Sequence, residues 1–313
     1  MAELLLAEAR RRMALDPGLW AMKAGAGAAV DRALRVALDE AGGPVRQVCI
    51  VVDEGGQMAA VGRGLRLPVP PIYVGRFGAP GLILADHGQS DAASGAAGVA
   101  AREGIEAALL ADGAQVLVQA VVPGREALAP GYGPLTLYYT RDLGRGVEQG
   151  EAIRPAEAGD LPGIVAGSAV NRRVLHGIDR FWEPHPEADV RFGAWMGRSL
   201  GLDDRDMLVA DGPRGLAGYA VAQPAGPLHL PPAHEAAGVG FLDDFHHEDF
   251  ADPVGLAGDG AGAAALLAAC ERAFVARGCR SVLVVCPAGW ASKRAVLERA
   301  GYRVGLSWGI RWA

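Results

Sequence analysis

Residues 274–289 read FVARGCRSVLVVCPAG, and residues 109–124 read LLADGAQVLVQAVVPG. Each holds the end of an apolar helix, a glycine that stops it, an apolar run, and a proline with a glycine close behind. An apolar run with little polar alternation is a strand buried on both faces. Such a strand calls for a parallel neighbour and for helices packed on the sheet.

Working outward, the flanking segments repeat in the same order. In the first half, Val30, Ala33, Leu34, Ala37 and Leu38 share one helical face. QVCIVVD (47–53), the turn EGG and QMAAVG (57–62) read as a hairpin, and the Pro-rich LPVPP (67–71) leads to a strand LILAD (82–86). A helix spans about Val99 to Leu110 and stops at Asp112-Gly113. After the quoted strand, Gly131-Tyr132 introduces PLTLYYT (134–140). In the second half, Asp160 is placed as a helix N-cap with Pro162 in the first turn. DMLVAD (206–211), GPRG and LAGYAVA (216–222) form the hairpin, and QPAGPLHLPP (223–232) leads to GVGFLDDF (238–245). A helix from about Gly262 carries Ala263, Leu267, Cys270 and Phe274 on one face and ends at Gly278. The quoted strand, a helix closed by Gly301-Tyr302 and a last strand LSWGIRW (306–312) follow.

A hairpin followed by strand–helix–strand gives an α/β fold: a mixed central sheet flanked by helices, here expected twice. The polar, glycine-rich GRGVEQGE (144–151) reads as the linker, dividing the chain into domains 1–146 and 147–313. A dinucleotide fold is rejected, because about a dozen irregular residues separate GFLDDF from the next glycines, where that fold runs strand straight into glycine turn.

Composition supports two cores. Half of the 313 residues are apolar and 21% are charged. No apolar stretch is long enough to span a membrane, and MAELLLAEARRRM at the start lacks the order of a secretory signal. A net charge of −6 with interspersed signs excludes nucleic acid as a partner. The four cysteines, Cys49, Cys270, Cys279 and Cys286, have no CxxC spacing and read as reduced, buried thiols of a cytoplasmic protein. With 45 glycines present, a glycine motif is weighed only in its context.

That context is AGDGAG, residues 257–262, at a helix start just after a strand. Together with the element order, it resembles the acyl-CoA motif of the GNAT superfamily of N-acetyltransferases: Gln or Arg, two residues, Gly, one residue, Gly or Ala. The resemblance covers the whole second half and the first half as a degenerate copy, giving tandem GNAT-like domains. It implies an acyltransferase that transfers acetyl directly from acetyl-CoA to a small-molecule or protein amine, and it is compatible with a homodimer. Gly258, Gly260, Ala261, Gly262 and Ala263 would hold the pyrophosphate on backbone N–H groups and the helix dipole. This sequence departs from the family at four positions. Ala257 replaces the basic or amide residue, Asp259 adds a carboxylate to the loop, and Trp290 and Leu297 stand where many members have Asn and Tyr. The alternative is therefore a catalytically inactive GNAT-like scaffold that still binds CoA.

Acyl transfer also needs a base near the cleft. At the end of GVGFLDDF, alternation puts Asp244 and His246 on one face, with Glu248 joining them if the strand continues. These three are the catalytic candidates, and Asp86-His87 holds the matching place in the first half. Arg180 and Trp182 follow the first helix of the second half, where the resemblance places the acceptor. Cys286 reads as a core thiol, and no metal is assigned, since His246-His247-Glu248-Asp249 has no ligand spacing.

Overall fold

The computed structural model describes residues 1–39, 45–144 and 153–313; the domain boundary after residue 146 and all but the first residue of the linker lie outside them. The first half contains α1 (Ala2–Leu15), α2 (Ala26–Leu38), β1 (Gln47–Glu54), β2 (Gln57–Arg66), β3 (Gly81–Gln89), α3 (Gly95–Ala111), β4 (Val116–Val121) and β5 (Gly133–Asp142). The second contains β6 (Ile153–Pro155), α4 (Leu161–Ile178), α5 (Ala188–Ser199), β7 (Asp206–Gly212), β8 (Gly215–Pro224), β9 (Val239–His247) and α6 (Ala261–Ala276). It closes with β10 (Ser281–Pro287), α7 (Ala291–Arg299) and β11 (Arg303–Trp312).

Both hairpins form as read, β1 with β2 and β7 with β8, and both quoted strands have a parallel partner. Gly113 and Gly278 end their helices at φ +85° and +80°, the left-handed geometry that stops a helix with least strain in glycine. Asp160 enters its helix through a one-turn 3₁₀ segment. Its carboxylate accepts the Glu157 N–H and pairs with Arg154. N-terminal α1 has no counterpart in the sequence reading, which weighed that stretch only as a targeting signal. It docks on β3 so closely that a Cβ on Gly88 would lie 2.4 Å from the Leu4 carbonyl oxygen.

The two expected sheets are one. The strand order is β1-β2-β3-β4-β11-β5-β10-β9-β8-β7-β6. Each half lends its last strand to the other. β11 lies against β4 from Ser307↔Val121 to Trp312↔Val116, and β5 lies against β10 from Ser281↔Asp142 to Pro287↔Thr136. The two lent strands also pair with each other. One core cluster therefore joins Leu82, Val116 and Val118 of the first half to Phe241, Leu283 and Trp308 of the second. Among the described residues, no helix is long and apolar enough to cross a membrane.

Candidate functional site

Each half contains a wedge. β3 and β4 pair only from Gly81↔Leu117 to Ile83↔Gln119, and β9 and β10 only from Val239↔Ser281 to Leu242↔Val284. Beyond these pairs the strands part, and the helix between them, α3 or α6, has its N terminus nearby. In both halves the antiparallel ladder on the other side of the wedge strand slips register, between Gly62 and Gly64 and between Ala220 and Ala222. The second slip leaves Asp243 and Asp244 both opposite Val221. A bulge of this kind breaks alternation and lets neighbouring side chains face the same space.

The first wedge is open. It continues into a cavity of about 890 Å³, lined by Leu84 and His87 of β3, Ala120 of β4 and Gly95 and Gly98 of α3. The N-cap Ser94 directs its amide and hydroxyl to Glu54, so its side chain does not cap the amides of α3. Gly95 faces open space: a Cβ there would meet nothing within 4 Å. At the cavity wall His87 Nε2 lies 2.9 Å from Glu126 Oε2. Burial raises the Glu126 carboxyl, but the charges of His87 and Arg12 and the hydrogen bonds it accepts bring it below its ordinary value. The carboxylate lies at ion-pair distance from the imidazole, but the contact lacks hydrogen-bond geometry.

On the side of α6 the second wedge is filled. Phe250 and Trp290 are fully buried in it, and the Trp290 indole N–H donates to the Phe250 carbonyl at 2.8 Å. Lys293 points its ammonium at the Phe245 carbonyl (3.0 Å) and at the rings of Phe245, Phe250 and Trp290, 5.3 to 5.6 Å away. Ser292 ties the loop after β9 to α7 through the carbonyls of Phe250 and Asp252. The N terminus of α6 is closed by its own acids. Asp259 accepts the Ala261 N–H at 3.0 Å, and Asp249 accepts the Ala263 N–H at 2.9 Å.

Adjoining these contacts lies a cavity of about 330 Å³ lined by Asp243, Asp244, Tyr138, Trp182, Trp308 and Lys293. Part of its wall is lent by the first half, whose segment around Tyr73 bridges to Pro184.

A GCN5-related N-acetyltransferase from Sphaerobacter thermophilus shares this architecture with a TM-score of 0.52, over 90% of this chain and 84% of that one, at 15% identity. The chain has the GNAT fold. A tandem GNAT protein from the clavulanic acid biosynthesis pathway is also similar, with TM-score 0.45, 15% identity, and coverage of 86% of this chain and 83% of that one. No family model and no curated protein matches the sequence.

Within the GNAT framework the residues singled out in the sequence fall in different places. Gly258 and Gly260 do adopt the left-handed turn that a glycine loop requires, at φ +71° and +80°. Two of the amides assigned to a pyrophosphate, those of Ala261 and Ala263, are instead bound to carboxylates of the chain. A Cβ on Gly262 would lie 2.4 Å from the His247 ring. Asp244 lines the aromatic cavity, but His246 does not: its Nδ1 is 3.0 Å from Asn171 Oδ1, in a pocket against Tyr219 and Phe250. Glu248 is exposed at the start of a 3₁₀ turn. Trp182 lines the cavity, whereas Arg180 stacks on Trp312, 4.1 Å from its ring centre. Leu297 is core, and so is Cys286, whose thiol is pushed up to about 12 by burial. Among the described residues no group of three metal-ligating side chains comes together. Lys293 was missed, and Asp243, a strand-end neighbour of Asp244, was set aside by an alternation that the bulge defeats. Lys293 carried a signal: with Lys23 it is one of two lysines among 30 Lys and Arg residues.

The histidines make the fold acid-sensitive. Burial holds His229 and His234 down at about 4 and His246 at about 3, and lowers His247. Unfolding releases them to their ordinary 6.5, so the unfolded chain binds more protons between pH 6.5 and about 4. His229, His234 and His246 each contribute a loss of roughly 1.4 kcal/mol per pH unit across that window. Asp243 and Asp244, raised by burial, work the other way, two groups against four. The urea midpoint is expected to fall steadily from about pH 7 to about pH 4.5. A flat profile would contradict the burial of these rings.

Proposed function

We propose that the protein is an N-acyltransferase that takes acetyl from acetyl-CoA, and that the donor lies in the first half, in the open wedge beside α3. One contrast carries this reading: the β3/β4 wedge leads to a cavity and an uncapped helix N terminus, while its counterpart is filled and capped by Asp249 and Asp259. In functional terms residues 1–146 then carry the donor and residues 147–313 do not, the reverse of the assignment suggested by AGDGAG. A helix N terminus with no Cβ at Gly95 suits a pyrophosphate. The wedge strands offer unpaired backbone groups to an extended thioester arm. Reduced cysteines fit a cytoplasmic setting.

The acceptor, a small-molecule or protein amine, would enter from the opposite face. There a largely apolar cavity of about 730 Å³ is lined by Leu84, Ala85 and Asp86 of β3, by α2 and by Pro227, Leu228, His229, Pro231 and Pro232. Leu84 belongs to both cavities. His87 is the base in this reading, with the Glu126 carboxylate beside its ring. His87 takes one proton from the acceptor ammonium and passes it to solvent. The amine lone pair forms the C–N bond at the thioester carbon, the C–S bond breaks, and the thiolate takes the second amine proton.

His87→Ala is expected to lower kcat about 10²-fold while the affinity for acetyl-CoA stays within about twofold, as for the loss of one general base. Glu126→Gln should act in the same direction with a smaller loss. Turnover is measured by thiol release against a panel of amines. Acetyl-CoA binding with no thiol release from any amine favours the scaffold reading instead.

A further inference from the structure

Only Lys23 and Lys293 are lysine among the 30 Lys and Arg residues of the chain. Arginine stays charged in any protein setting, whereas a buried lysine gives up its proton more readily and becomes a nucleophile. Lys23 is half-buried. Lys293 is 3% exposed and lines the cavity of about 330 Å³ together with Asp243 and Asp244. The acyl-transfer reading uses the first wedge and gives Lys293 no task.

Its surroundings are not those of a structural cation. Among the described residues no carboxylate forms an ion pair with it. Its hydrogen bond goes to the Phe245 carbonyl, beyond the last β9/β10 pair, which the Asn171 amide also approaches at 3.4 Å. The rings of Phe245, Phe250 and Trp290 add a weak attraction in place of lost water. Burial accordingly lowers the Lys293 ammonium from its ordinary value.

Two acids share the cavity with it, set side by side by the β8/β9 bulge. Enclosure by protein, and then the charge of Asp243, pushes Asp244 up to about 7, and enclosure also raises Asp243. Such a pair holds one proton near neutrality, so it both gives and takes protons. The other groups facing this space are Arg172 of α4, Tyr219 of β8, Tyr138 of β5, Tyr73, His229, His246 of β9 and Cys286 of β10. Arg172 is taken by Asp189 and Ser168. Burial raises the tyrosines and the thiol and lowers both histidines, so these stay neutral near pH 7.

We infer that Lys293 is a covalent site, where its amine forms an imine with a small aromatic aldehyde held in this cavity. Tyr138, Phe241 and Trp308 wall the space for the ring, with Tyr138 5.2 Å from Trp308. The ammonium gives two protons to the acid pair, one before and one after the C–N bond forms at the aldehyde carbon. The pair delivers two protons to the carbonyl oxygen, which leaves as water while the C=N bond forms. The protonated imine keeps the third proton, the acids return to their starting state, and no oxidant or reductant is consumed. The inference goes beyond the acyl-transfer reading and does not rest on it.

Benzaldehyde is the probe, with propanal as its ringless counterpart. Samples of the full chain are quenched with borohydride, which reduces the imine and fixes a benzyl group on the nitrogen, and peptide mapping locates it. Lys293 is expected to label at least about tenfold faster than Lys23, the internal reference in the same molecule. Its labelling rate should peak near about pH 7 and fall by about pH 9, where the acid pair has no proton to give, while that of Lys23 still rises. Propanal should label Lys293 about tenfold more slowly than benzaldehyde, for want of ring contacts. Asp244→Asn should slow benzaldehyde at least roughly tenfold. Lys293→Met should abolish the label and, by removing an enclosed charge, leave the melting temperature level or higher. The inference is overturned, on the wild type alone, by labelling of Lys23 as fast as Lys293 or by no label on Lys293 up to about 10 mM benzaldehyde. It is equally overturned by propanal matching benzaldehyde, or by a folded Asp244→Asn variant that labels within about twofold of the wild type.

Discussion

Gly95→Glu is expected to abolish acetyl-CoA binding and leave the fold intact. The residue is exposed at the first position of α3, and a Cβ there has no neighbour within 4 Å. An acid in the first helical turn is compatible with the helix dipole, so the free protein should melt no lower than the wild type. With ligand the effect reverses, because the carboxylate would sit where a pyrophosphate must sit. At about 5 Å and an effective dielectric constant near 20, one pair of like charges costs about 3 kcal/mol, roughly 10²-fold in affinity. The measurement is the melting temperature with and without acetyl-CoA. At about 100 times its dissociation constant the ligand adds roughly 2.7 kcal/mol to the wild type, and that gain should vanish in the variant. Asp259→Arg serves as the opposing test. If the donor lay at α6, this change would replace repulsion with attraction and tighten binding. Under the present reading it leaves CoA affinity alone and costs about 1 kcal/mol of helix capping. Tightening by Asp259→Arg with no effect of Gly95→Glu would move the donor to the second half.

The element order was legible because it rests on local signals: glycine stops, proline breaks and periodicity, each written within a few residues. Which wedge is open was not. The turn Gly258-Asp259-Gly260 has the geometry its glycines promise. Whether it can take a ligand is decided elsewhere. Asp249 reaches the Ala263 amide only because the chain folds back after β9, and Trp290 and Lys293, at the start of α7, close the groove. Alternation failed at Asp243 for a related reason: the bulge opposite Val221 is a property of the β8/β9 ladder, not of either strand alone. His87 was visible as part of Asp86-His87, but its partner Glu126 comes from the loop after β4, and only the fold brings the two together.

The strand exchange was equally hidden, and it carries the largest consequence for stability. β5 and β11 are both apolar and edge-compatible, so nothing in either sequence says which of β4 and β10 it will join. In the structure β4 is covered by β11, with Val116 and Leu117 fully buried and Val118 nearly so. Ending the chain at Gly301 would uncover β4 and β5 together and remove Leu306, Trp308 and Ile310 from the core. At about 1.5–3 kcal/mol for each large buried side chain, those three alone approach the roughly 5–15 kcal/mol that holds a typical domain. The truncated chain is expected to lose cooperative unfolding altogether. For the same reason the intact protein should melt in one transition. Residues 1–144 and 153–313, produced separately, should each fail to show a cooperative melt, and mixing them from denaturant should restore one, since each supplies the strand the other lacks. Calorimetry on the halves and on the mixture decides the matter. A first half that melts cooperatively by itself, within a few degrees of the intact chain, would mean that β5 can pair directly with β4 and that the exchange is not required for folding.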